Sequence, residues 1–137
     1  MKQEVSKKEA ALTQLDAAIA HYQAEQYISA ITLAGAAEEI FAKLSGHSTF
    51  QRVRDAAVAE HGVSPKWITD NVLNEAKNWF KHASGTDPYS FDLKIEVQLL
   101  LFRAMTNLTY LDGEAALSRA PLLPFLDEPK GGAKKGS

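Results

Sequence analysis

The stretch YISAITLAGAAEEIFAKLSG, residues 27 to 46, decides the fold. Its apolar residues do not alternate in the period of two that a strand would show, and they recur at three and four. That spacing predicts a helix over roughly residues 27 to 45, stopped where Gly46 can take a left-handed conformation. The helix has two apolar sides rather than one. Ala30, Leu33, Ala34, Ala37, Ile40, Phe41 and Leu44 form the broad side. Ile28, Ile31, Gly35 and Ala42 form a narrower small-residue face, and Glu38 sits on it. Glu39 points instead toward the solvent sector with Thr32, Ala36 and Lys43. A carboxylate among apolar neighbours must find a donor or take up a proton, because an unpaired buried charge costs several kcal/mol. Glu38 is therefore the acid of interest.

The same period extends outward in both directions, and strand-like runs are missing, so the fold class is all-α, a compact bundle of about five helices. Val5, Leu12, Leu15, Ile19 and Tyr22 make one stripe on a first helix of roughly residues 4 to 25. Ser48 and Gln51 form a capping-box pattern for a short third helix that stops at Gly62. Ser64 and Pro65 supply an N-cap and a first-turn proline for a fourth, which runs to about Ala83. After the turn TDPYS, a long last helix from Ser90 carries IEVQLLLF, apolar on nearly all sides through residues 97 to 102. It is expected to be the central helix. Its polar stripe of Glu96, Arg103, Asn107, Tyr110 and Glu114 is either solvated surface or the source of an arginine that answers Glu38.

Length fits one domain over residues 1–120 with a Pro-rich apolar segment and a flexible Gly/Lys tail over 121–137. Leu122, Leu123, Phe125 and Leu126 would form an apolar patch if exposed, so they pack either on the bundle or on a second copy of the chain. The tail proper starts near Pro129 and is expected to be mobile. With 15 basic and 17 acidic residues, net charge −2, no global field draws the chain to phosphate backbones or anionic lipid. No leader pattern or membrane span is legible, and the absence of cysteine removes thiolate chemistry, so the expected location is the cytoplasm. His21, His47, His61 and His82 stand in four segments without ligand spacing, so no metal and no cofactor is expected. Neither a Gly-x-Ser-x-Gly elbow nor a Gly-rich phosphate loop is present.

On the fourth helix, Ile68, Val72, Ala76, Trp79, Phe80 and Ala83 share an apolar arc. Asn71, Glu75, Asn78 and His82 line one edge, and Lys77 lies on the opposite flank, roughly 140° from His82. In a regular helix the two cannot meet on one small group within a single chain. Lys77, Lys81 and His82 are also well placed to satisfy a helix C-terminus, where cations interact favourably with the dipole.

The pairing of YISAITLAGAAEEIFAKL with LNEAKNWFKHA, followed by a long apolar helix, resembles the HEPN superfamily of small α-helical proteins, many of them toxin or defence ribonucleases. Members carry an arginine, often followed by asparagine, and a histidine within two helical turns of it. The matching residues here are Lys77, Asn78 and His82, with lysine in place of the arginine. Arginine holds a phosphate through a planar fork, whereas lysine offers a point charge. The resemblance implies a metal-independent ribonuclease or a catalytically silent relative. His82 would do acid–base work on a ribose 2′-hydroxyl and Lys77 would steady the phosphate, in a cleft shared by a homodimer. The binding residues around it would be Glu38, Lys81, Arg103 and Asn107. RNA or a nucleotide is the implied ligand, and an antitoxin or other protein the implied partner. From a different class, the chain reads as a non-catalytic interaction or dimerisation module that uses residues 122 to 126.

Overall fold

The computed structural model describes residues 1–127, and among them every regular element is helical. The first helix, α1 (Lys7–Gln23), begins later than its apolar stripe suggests. Ser6 closes a capping box with Glu9, with Glu9 N–H donating to Ser6 Oγ at 3.0 Å and Ser6 N–H to Glu9 Oε1 at 3.1 Å, which leaves Val5 outside and exposed. The second, α2 (Tyr27–Ser45), ends as its sequence predicts, on Gly46 at φ 75°. The third, α3 (Thr49–His61), is capped by Ser48 and ends on Gly62 at φ 68°.

Seven α-helices, rather than about five, occupy the described residues, because two expected helices are each divided. The fourth starts as expected on Ser64 and Pro65, but α4 (Pro65–Ile68) passes into a π-helical turn over Thr69–Leu73. There Asn74 N–H reaches back five residues to Thr69 O at 3.0 Å. A new helix, α5 (Glu75–Lys81), then begins, and it stops before His82, whose backbone is extended. The last helix is divided at Asp112 into α6 (Leu93–Leu111) and α7 (Gly113–Arg119). Asp112 accepts from Ala115 N–H at 3.1 Å and from Lys8 Nζ at 2.8 Å, so its side chain caps α7 and ties it to α1.

The core is a layer of α1, α2 and α6, with α2 packed against both others. Leu15, Ile31, Phe41, Val97, Leu101 and Leu108 are fully enclosed within it. The last helix is therefore not enclosed on all sides: Leu99 and Phe102 stay 52% and 47% exposed. The segment after Pro121 folds back on its own bundle. Leu123 is buried, Phe125 meets Tyr22 edge-on at 5.5 Å, and Leu126 packs on the core. The expected mobile tail from Pro129 lies outside the described residues. No helix among the described residues is long and apolar enough to cross a membrane.

Candidate functional site

The narrow face of α2 carries the site. Glu38, 2% exposed, receives Arg103 of α6 through two bonds, Nε to Oε2 at 2.6 Å and Nη2 to Oε1 at 2.9 Å. This fork-to-fork pairing is the geometry that makes a buried carboxylate tolerable. The guanidinium has further donors. Nη1 donates to Leu73 O at 3.1 Å and Nη2 to Asn74 Oδ1 at 3.2 Å, and Phe50 of α3 faces the group at 5.0 Å. Arg103 thus holds the end of the π turn, where carbonyls lose their helical partners. This explains why the fourth helix breaks where it does.

Behind the pair lies Asn107, fully buried, one turn further along α6. Its Nδ2 donates to Glu38 O at 3.2 Å, and its Oδ1 accepts from Thr49 N–H at 3.0 Å and Thr49 Oγ1 at 2.9 Å. Since the Thr49 hydroxyl proton is committed to Asn107, the contact of Thr49 Oγ1 with His47 Nε2 at 3.3 Å assigns the donor to His47. The His47 ring stacks on Tyr110 at 3.8 Å. The polar stripe expected on the last helix is therefore divided: Arg103 and Asn107 of α6 are inside, while Tyr110 of α6 and Glu114 of α7 are exposed.

Lys77 is the second cation. It lies buried on α5, and its Nζ donates to Glu39 Oε2 at 2.7 Å. Its methylenes cross α2 at Gly35, where an added Cβ would stand 2.5 Å from Lys77 Cδ. A glycine in mid-helix is unfavourable by propensity, and here it makes room for the lysine stem. Glu39 is therefore an ion-pair partner and not merely a solvated residue, although its side chain remains 57% exposed. Burial raises the Glu39 carboxyl's pKa, but the Lys77 hydrogen bond and the charges of Lys77, Lys81 and Arg103 outweigh it, leaving a net lowering. Glu96, by contrast, is raised by burial and by Glu75 and Asp92, against the pull of Arg103.

These groups line one open cleft of about 580 Å³, with Glu38, Glu39, Lys43, Asn74, Lys77 and Arg103 as its polar walls. Three cations stand against two carboxylates there, a local excess of positive charge in an acidic chain. Sequence reading brings Glu38, Arg103 and Lys77 to this place, and Asn107 directly beneath it. Asn74, Phe50, Ser48 and Lys43 were not foreseen. His82 is not among the lining residues: it is exposed and borders a separate shallow hollow with Trp79, Phe80 and Asp87. Asn78 is half-buried on α5 and Lys81 is exposed at its end. Within one chain the structure thus separates Lys77 from His82. Among the described residues no three His, Cys, Asp or Glu side chains gather as a metal site.

No family model matches the chain, and no curated protein or solved structure does.

Proposed function

We propose that the chain is a HEPN-like helical domain directed at RNA or a nucleotide, with the cleft between Lys77 and Arg103 as its phosphate site. One observation carries this reading. A lysine only 7% exposed has its ammonium fixed in the wall of an open polar cleft, beside a guanidinium, with a half-exposed carboxylate as its partner. Structural ion pairs of this sort are ordinarily either solvated or sealed, whereas this one faces a volume within the range of small-ligand sites. Lys77 Nζ carries three donors and Glu39 takes one, so a phosphate oxygen has donors to meet. Glu39 can turn outward into water as an anion enters, since over half of its side chain is already exposed.

Cleavage of RNA at this cleft needs an imidazole that the same chain does not supply, so the ribonuclease branch requires His82 of a second copy. Purified protein incubated with structured RNA tests it. His82→Ala is expected to slow any metal-independent cleavage by at least ~100-fold, the scale of a lost acid–base group. Cleavage at the same rate in both proteins removes the enzymatic branch. Binding without cleavage in the wild type identifies the catalytically silent form.

A further inference from the structure

Lys77 and Arg103 also border a second, smaller hollow of about 170 Å³. Val53 of α3, Leu73 of the π turn and Leu99, Leu100 and Phe102 of α6 line it, so its walls are chiefly apolar. The remaining lining residue is Glu96, one turn before Leu100 on α6. The three charged groups there are not equivalent. Arg103 gives its guanidinium to Glu38, Leu73 O and Asn74, and Lys77 gives its ammonium to Glu39. Glu38 and Glu39 line the phosphate cleft and not this hollow, so both cations are answered from the cleft side. Glu96 has no such answer. Its side chain is half-buried, yet among the described residues no hydrogen bond or ion pair reaches the carboxylate. Burial and the charge of Glu75 push its pKa up, Arg103 opposes them, and Asp92 adds to the rise. Lys94 is two positions away, a spacing that sets it on another face of the helix. A carboxylate in this position is short of a donor.

We infer that this hollow is a binding site for a small primary amine with a compact apolar body, its ammonium donating to Glu96 and its body packed among Leu73, Leu99, Leu100 and Phe102. Size sets the body. A dry apolar cavity of about 150 Å³ holds benzene, so this hollow suits one ring with a short amine arm. Sign sets the head. Among the charged lining residues Glu96 is the one whose charge lacks a partner, and that charge is negative. An ammonium brings three donors to it and relieves the cost of its burial. A neutral molecule of the same shape gains the apolar contact but leaves the carboxylate as it was. An anionic one would meet Glu96 with like charge and find both cations already held by carboxylates. The site is separate from the phosphate cleft, and it would survive the failure of the phosphate reading.

Titration of the full chain with benzylamine, followed by backbone-amide NMR shifts, tests it, with benzyl alcohol and phenylacetate as neutral and anionic molecules of like size. Saturable binding of benzylamine is expected, with a Kd on the order of 1 mM, and at least about fivefold tighter than either counterpart. Glu96→Gln keeps the size of the side chain and removes its charge, and it is expected to weaken benzylamine by at least about fivefold. Leu99→Ala removes part of the apolar wall at an exposed position, so the core stays intact, and a loss of about threefold is expected. Helical circular dichroism of both variants is expected to match the wild type. Benzylamine that does not saturate the wild type overturns the inference, as does an affinity indifferent to Glu96→Gln. Benzyl alcohol or phenylacetate binding as tightly as the amine overturns it too, because the hollow would then not be reading a cation.

Discussion

Arg103→Ala is expected to destabilise the fold by about 3–5 kcal/mol, read as a lower urea midpoint at unchanged slope. The loss is large because it strands two kinds of group. Glu38 would be left at 2% exposure with its bidentate donor gone, so that it must either stay buried without a partner or take up a proton, and Leu73 O and Asn74 Oδ1 would lose the donors that hold the end of the π turn. Removing both charges is expected to behave differently. In Glu38→Leu/Arg103→Met no ion is stranded, and buried pairs replaced by apolar side chains are often neutral, so the double variant should recover most of the loss. A single variant within about 1 kcal/mol of the wild type would mean that the pair contributes little beyond packing.

Asn107→Ala is expected to cost about 2–4 kcal/mol by the same denaturation measurement. Asn107 has no exposed surface, and its amide joins three helices by donating to Glu38 O of α2 and accepting twice from Thr49 of α3. The Thr49 N–H is the more expensive orphan, because it is a first-turn amide of α3 with no intrahelical acceptor and is buried. Thr49→Val removes only the hydroxyl and should cost less than the asparagine change. Equal costs would place the energy in the side-chain bond instead of the backbone one.

Where helices end on local chemistry, the sequence is readable. Gly46 and Gly62 stop α2 and α3 in the left-handed region, and Ser48 and Ser64 cap the helices that follow. The interruption at residues 69–74 is different in kind, because its cause is a guanidinium some thirty positions away, and no local pattern announces it. The same tertiary origin hides the burial of Lys77. A lysine on the flank of an amphipathic helix reads as surface, yet Gly35 on α2 opens a channel for its stem and Glu39 answers its charge. Glu38 was legible from its apolar neighbours, since a buried carboxylate demands a donor. Glu39, one position on, reads as solvent-facing and is exposed, but helical geometry alone does not say that a neighbouring helix brings Lys77 to it. The signal that was present is Gly35, four residues before Glu39 and on the same side of α2.

The division of the last helix at Asp112 has a similar lesson. Asp112 followed by Gly113 is a local break signal that the long apolar period before it outweighs, and its partner Lys8 lies at the other end of the chain. The exposed Leu99 and Phe102 also follow from tertiary arrangement: α6 is covered by α1 and α2 on one side only. An all-round apolar helix that is covered on one side has surface left over.

The proposed phosphate site is tested most directly by titrating a fluorescently labelled single-stranded RNA with the wild type and with Lys77→Met, a change that keeps the stem over Gly35 and removes the ammonium. Anisotropy is expected to show binding that weakens with salt, and at least a tenfold loss of affinity in Lys77→Met. Equal affinity in the two proteins, or no binding by the wild type at low salt, would contradict a phosphate site at Lys77.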